Sequence, residues 1–294
     1  MQISTIIVNY NGLALCCAAI DSLVQHCPES EIIVVDNGSK DGSIQALAAK
    51  YPAIRLIALD ANRGFGSANN AGARKANGDL LFFLNNDTQL QENTAHVLSH
   101  HFGKDMQVGA CGPRLMNADG SFQLSSGLDP SLINEWKTRR EQQRVERRNL
   151  RGSYPHSIPD QIAEVDWVTG AALMVRKDIF ERIGGFDEQY FMYFEDVDLC
   201  KKIREEGWKV LYDPASAITH LKGSSGTLLR GKVGLEYRKS QILYYRRYRS
   251  LVSSVLLRSY LFVKYCMRWI MSNASSHAKE EKSSVASLFK ILIR

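Results

Sequence analysis

The chain is expected to fold as an α/β domain around a mostly parallel sheet flanked by helices, with a helical arm at its C-terminal end. Three observations predict this. Short continuous apolar stretches such as "EIIVVD" (31–36) and "DLLFFL" (79–84) read as strands buried on both faces. Segments with helical apolar spacing separate them, which is the signature of βαβ units. Polar clusters rich in Asn and Gly follow the strands, at the edge where open parallel sheets bind ligands.

The elements follow in order. "ISTIIVNY" (3–10) is a first strand and "LALCCAAIDSLVQH" (13–26) a first helix. "EIIVVD" is a second strand, closed by the turn-and-cap cluster "NGSKDGS". "IQALAAKY" (44–51) is helical, "IRLIAL" (54–59) a third strand, "SANNAGARKA" (67–76) a helix and "DLLFFL" a fourth strand. From about 105 to 165 the pattern is less regular, and its middle, "NEWKTRREQQRVERRN", reads as a charged, solvated helix. "VDWVTGAALMVRKDIFERIGGFD" (165–187) gives a strand and a short helix ending at Gly184 and Gly185. "EDVDLCKKIREEG" is a second helix stopped by Gly207, and "WKVLYDP" a strand. No internal repeat is present.

A chain of 294 residues, 45% hydrophobic and 23% charged, can bury a substantial core. The net charge of +6 is concentrated near the C-terminal end: Arg230 to Arg268 holds ten Lys and Arg against one acid, Glu236. The six cysteines show no CxxC spacing and most lie in apolar runs, so they read as reduced core residues of a cytoplasmic protein rather than zinc ligands. The first residues, "MQISTIIVNYNG", lack the basic start and long apolar run of a signal peptide. No uninterrupted apolar stretch reaches the roughly 18 residues of a membrane-crossing helix.

Four strand ends carry the polar clusters "VNYNG", "VDNGSKDGS", "NRGFGSANNAG" and "LNNDT". Converging on one edge, they suit a nucleotide laid across the sheet. Asp36 can accept hydrogen bonds from a base or ribose, or serve as a turn or N-cap residue. Gly64 and Gly66 resemble a dinucleotide loop superficially. Asn69 stands where the third glycine belongs and the motif follows strand three, which disfavours a nicotinamide enzyme. Asn85, Asn86 and Asp87 offer oxygens for a hard divalent cation, or form an Asx turn. The acids of "FMYFEDVDLC", Glu195, Asp196 and Asp198, either complement a helix dipole or include a catalytic base.

Taken together, "STIIVNYNG", "IVVDNGSKDGS", "NRGFGSANNAG", "LLFFLNNDT", "VDWVTGAALMVRK", "IGGFDEQYFMYFEDVDLCKKIREEGWKV" and "ITHLKGSSG" resemble the family 2 inverting glycosyltransferases of GT-A fold. They are most similar to the bacterial rhamnosyltransferases of surface-polysaccharide and O-antigen synthesis. The resemblance implies a Rossmann-like catalytic domain over 1–228, with a nucleotide-sugar half to about 112 and an acceptor half from about 113. It implies donor contacts from Val8, Asn9, Tyr10, Asp36, Asn37, Gly64, Asn69, Asn85 and Asn86. Asp87 stands in the DxD-type motif as a ligand to Mg²⁺ or Mn²⁺, although two positions of that motif hold Asn. His220 matches a position that can complete the metal shell, where imidazole suits Mn²⁺ better than Mg²⁺; a structural histidine is the alternative. Asp196 matches the base that deprotonates the acceptor, and Glu195 could orient that acceptor. Asp198, by its place in the first helical turn, is expected to help cap the helix. Trp167, Thr169 and Gly170 line the acceptor side or simply pack as strand residues.

The expected reaction moves rhamnose from dTDP-rhamnose, or another sugar from a UDP donor, onto a lipid-linked glycan with inversion. A catalytically weak scaffold is the alternative that the Asn-for-Asp departures motivate. The basic arm, 229–294, suits the anionic inner face of the plasma membrane, docking on the domain, or an oligomer contact. No nucleic-acid reader motif accompanies it.

Overall fold

The computed structural model describes residues 1–149, 160–221, 231–271 and 286. In chain order the elements are β1 (Ile3–Asn9), α1 (Leu13–His26), β2 (Glu31–Asp36), α2 (Ser43–Lys50), β3 (Arg55–Ala58), α3 (Phe65–Ala73), β4 (Leu80–Asn85), β5 (Thr88–Leu90), α4 (Thr94–Lys104), β6 (Val108–Met116), β7 (Phe122–Gln123), β8 (Ser126–Gly127), α5 (Leu132–Asn149), β9 (Ala163–Glu164), β10 (Trp167–Val168), β11 (Ala172–Arg176), α6 (Lys177–Arg182), α7 (Glu195–Glu205), β12 (Lys209–His220), α8 (Gly231–Tyr248) and α9 (Leu251–Met271).

The main sheet runs β3-β2-β1-β4-β11-β6-β12-β5, with β7 and β9 attached at β6 and β12. The first four strands are parallel, as their continuous apolar runs predict. Alternation within each strand feeds two cores. Ile3, Ile7, Phe82 and Leu84 face α1 and α4 residues such as Ile20, Leu23 and Phe102. Ile6, Val35, Leu81 and Phe83 face Ala68, Phe180, Phe186 and Leu199 on the other side. Cys16, Cys27, Cys111 and Cys200 are buried within these cores.

Two features depart from a simple parallel sheet, and both shape the site. β11 runs antiparallel to β4 and β6, so its first residues lie beside the last residues of β4: Ala172 pairs with Leu84 and Asn85 N donates to Ala171 O at 3.0 Å. The short strand expected over "WKVLYDP" continues to His220. Its register against β6 shifts between Asp213 and Ala217, around Pro214, which has no amide proton for a ladder bond. That extension carries His220 to β5, directly opposite Thr88.

The arm begins as part of the domain. On α8, Tyr244 bonds Asp129, Arg247 bonds Asp187 and Asp198, and Ser240 donates to Met192 O. Gln241 links to Glu135 on α5, so the charged helix expected to be solvated is held at its first turn. Tyr190, Phe194, Tyr244 and Tyr245 of this region form a third apolar cluster with Leu257 and Leu261 of α9.

Candidate active site

The carboxyl ends of β1, β2 and β4 are tied into one rim. Asn9 and Asp36 are register partners, and Asn9 Nδ2 donates to Asp36 Oδ1 at 3.1 Å. Asn86 Nδ2 donates to Asn9 Oδ1 at 3.1 Å. Asp36 also accepts from Ser39 N at 3.0 Å, so the side chain is almost wholly engaged in the turn. Asn37 fastens the next loop, donating to Asn62 Oδ1 and Gly64 O and accepting from Arg63 N. Val8 is half-buried and Tyr10 projects from the rim, 48% exposed. Asn69 is fully buried on α3, with Nδ2 on Phe65 O, and presents no surface to a ligand in this conformation.

A second group gathers around the turn after β4. His220 Nε2 lies 3.1 Å from Asp87 Oδ1 and 3.3 Å from Asn85 Nδ2. The opposite ring nitrogen, Nδ1, faces Gln123 Oε1 at 2.9 Å. Gln123 Nε2 donates to Asn117 Oδ1 at 2.7 Å and His220 O at 2.6 Å, which fixes the amide so that Oε1 must accept. The proton is therefore held on Nδ1 and the Nε2 position is directed at Asp87, the orientation that a metal-binding imidazole needs. Ligand bonds of about 2.0–2.2 Å place adjacent ligands roughly 3 Å apart, so the observed separation fits two neighbouring positions of a divalent ion's shell. Among the described residues no cluster of three or more His, Cys, Asp and Glu side chains assembles. Asp87 and His220 are the pair here whose chemistry suits a cation. Gln123 escaped the sequence reading because a lone Gln in a two-residue strand carries no local signal.

The third group holds Asp196. Its Oδ2 accepts from Gly170 N at 2.7 Å and its Oδ1 from Val197 N at 2.8 Å, while Thr169 adds a side-chain bond. A Cβ on Gly170 would stand 3.3 Å from Asp196 Cβ and 3.1 Å from Phe65, so the absence of a side chain lets the backbone approach both. The segment before α7 is bent by two consecutive left-handed residues, Tyr193 at φ 68° and Phe194 at φ 67°. Such a pair is strained for bulky side chains and needs external support. Tyr237 of α8 supplies it, with ring centroids 5.5 Å from Tyr193 and 5.4 Å from Phe194. Burial raises Asp196 above the ordinary carboxyl range, against the opposing hydrogen bonds from Gly170 and Val197. A more basic carboxylate is the better proton acceptor.

Its neighbours act differently. Glu195 is buried against Gly66 and Phe186, and burial first, then the Asp196 charge, push it well above its ordinary value of 4.5. The folded state therefore holds the Glu195 proton more tightly than the unfolded chain, and stability falls as pH rises from the ordinary carboxyl range through the raised one. Glu195→Gln removes that fall. Its melting temperature, relative to the parent, is expected to improve by several degrees between pH 5 and pH 8 in a calorimetric series. Asp198 lies in the first turn of α7 as expected, yet it makes no cap. Its Oδ1 accepts from Tyr248 at 2.8 Å and Arg247 at 3.2 Å, anchoring α8. Trp167 lies in the small β8–β10 sheet, its Nε1 donating to Leu128 O at 2.9 Å and its ring covering Gly127.

The three groups share one edge. Asn85 bonds Ala171, Ala171 follows Gly170, and Gly170 holds Asp196. From the other side, Phe65 N donates to Phe191 O at 3.0 Å, joining the loop before α3 to the segment that leads into α7 and Asp196.

Residues 4–183 match the family described as Glycosyl transferase family 2. The chain belongs to this family. It is 30% identical over 282 residues to the N-acetylglucosaminyl-diphospho-decaprenol L-rhamnosyltransferase of Mycobacterium tuberculosis, covering 84% of this chain and 87% of the relative. It is 26% identical over 233 residues to the O-antigen chain rhamnosyltransferase RfbN of Salmonella typhimurium, covering 75% and 66%. Among solved structures, GalNAc-T7 with UDP, GalNAc and Mn²⁺ superposes with a TM-score of 0.61 at 16% identity, covering 83% of this chain and 50% of that one. The fold is that of the GT-A glycosyltransferases. The family match ends before α7, so Asp196 lies outside the matched segment and its place rests on the geometry above.

Proposed function

We propose that this family 2 enzyme transfers rhamnose from dTDP-rhamnose to a hydroxyl of a lipid-linked glycan, with inversion, at the inner face of the plasma membrane. The observation that carries the reading is the anchoring of Asp196 on Gly170, one residue from the backbone that holds the Asn85–Asp87 turn. The rhamnosyltransferase relatives, one named for a diphospho-decaprenol substrate, support the choice of sugar and acceptor.

The rim that the buried Asn9, Asp36 and Asn37 brace, with Asn86 and Tyr10 at its surface, receives the nucleoside, and the turn at Asp87 receives its diphosphate. Asp87 and His220 would hold a divalent cation, which neutralises charge on the departing diphosphate when bound. Asp196 accepts the proton of the acceptor hydroxyl as its oxygen bonds to the anomeric carbon. The bond from that carbon to the diphosphate oxygen breaks on the opposite face, and the nucleoside diphosphate departs with the electron pair. Burial and then the Asp196 charge push Glu195 well above its ordinary value, which favours the proton on Glu195 when Asp196 is ionised.

A thermal-shift panel of nucleotide sugars with and without Mn²⁺ tests the donor, because a ligand bound only by the native state raises the melting temperature. The largest shift is expected with dTDP-rhamnose and Mn²⁺. An equal response to UDP-sugars removes the substrate assignment, and no response to any donor together with no turnover favours the scaffold. Gln123→Leu is expected to weaken Mn²⁺ binding by about 10–100-fold, because the ring loses the partner that orients it. Titration of Mn²⁺ followed by electron paramagnetic resonance measures this directly.

A further inference from the structure

Apart from Ser253, Ser254, Ser259 and the cations Arg258, Lys264 and Arg268, every residue of α9 is apolar or aromatic. At 100° per residue, Ser254, Leu257, Leu261 and Tyr265 share one face, and these are the residues buried against α8 and Tyr190. The opposite face carries Val252, Leu256, Val263 and Met267, which are 67%, 53%, 57% and 59% exposed. Val255 and Tyr260 widen that face, each about half exposed. An exposed apolar stripe of this length, interrupted on the wheel only by Ser259, marks a surface that meets a partner or a membrane.

The charge around the stripe selects the cover. No acidic residue occurs from Tyr237 to Met271, and Arg258 and Lys264 lie on the two flanks of the exposed face. An apolar strip with cations at its edges matches the boundary between anionic headgroups and acyl chains, where aromatic side chains also collect. Among the described residues no helix is long and apolar enough to cross a membrane, so α9 fits the plane of the interface rather than its normal.

We infer that α9 is a bilayer-docking helix, its Val252–Leu256–Val263–Met267 face seated in the anionic headgroup region. This deepens the reading that the acceptor is lipid-borne and rests on it for purpose, since it names the surface on which that acceptor would be met. The inner face of α9 packs in the same cluster as Phe194 and Tyr244, so the seated helix is one packing layer from the segment bearing Asp196. Docking therefore orients the base side of the cleft toward the lipid plane.

The test uses the full chain and vesicles, without donor or acceptor. The protein is expected to sediment with vesicles of phosphatidylglycerol and phosphatidylcholine, and at least tenfold less with phosphatidylcholine alone or in high salt. Leu256→Asp combined with Val263→Asp is expected to lower the vesicle-bound fraction at least tenfold, with the melting temperature and the donor thermal shift unchanged. Equal binding by parent and variant, or no binding of the parent to anionic vesicles, overturns the inference. Light scattering that shows a parent dimer becoming a monomer in the variant, with no vesicle binding by either, assigns the face to a second copy and also overturns it. Vesicle binding in a protein that transfers no sugar leaves the docking helix standing and removes the function proposed above.

Discussion

Asp196→Asn is expected to lower kcat by about 10²–10⁴-fold, the usual contribution of a positioned general base. The amide keeps the size of the carboxylate and its oxygen can still accept from Gly170 N; the bond from Val197 N is lost, a local cost of about 1 kcal/mol that leaves the fold around α7 standing. Donor affinity should stay within about twofold if the carboxylate acts on the acceptor as proposed, because a loss confined to the transition state leaves ground-state binding intact. Calorimetric titration of the donor beside single-turnover transfer separates the two. The pH profile adds a second readout. The base works only when ionised, so the parent's kcat/KM should climb with pH through an apparent value above the ordinary 3.8 of an aspartate, raised by burial. The residual activity of the variant should lack that limb. A variant that transfers sugar at the parental rate would remove Asp196 from the chemistry and leave its carboxylate as a fastener of Gly170.

Gly64→Ala is expected to carry the largest stability cost of any single methyl addition at the site. Gly64 has φ 90° and ψ 168°, a conformation open essentially to glycine alone. A Cβ there would stand 2.5 Å from Phe191 O, inside any permitted contact. Relief requires moving either the donor-side loop or the segment that leads to Asp196, and the bond from Phe65 N to Phe191 O breaks with it. Backbone strain and the lost contact together suggest roughly 3 kcal/mol, or a melting temperature about 6–12 °C lower for a domain of this size. Transfer should fall with it at temperatures where the variant is still folded, because the two halves of the cleft lose their registry. A variant with the parental melting temperature would show that this junction is not closed in solution.

Much of the fold was legible because its cause is local. Continuous burial on both faces of β1 and β4, and the helices between parallel strands, follow from runs of residues that need no distant partner. The pairing of Asp87 with His220 was legible only through resemblance, since 133 positions separate them and a strand extended past Pro214 brings them together. Other features depend on tertiary contacts with no sequence signature. Gln123 matters because its amide reaches Asn117, the His220 carbonyl and the His220 ring at once. Asp198 stands where a helix acid normally serves the dipole, yet it bonds a tyrosine and an arginine about fifty residues later. Asn69 sits in a motif that invites a ligand role and is instead sealed between layers. The arm's basic composition pointed outward, while the acids that receive α8 (Asp129, Asp187 and Asp198) were scattered through the preceding domain.

The support that α8 gives to Tyr193 and Phe194 has a consequence for the order of events on the ribosome. Asp196 is made some forty residues before Tyr237, so a nascent chain carries the carboxylate proposed as base long before the ring that holds its backbone in place. Competence is conferred late in synthesis, by the same segment that leads directly into the greasy helix.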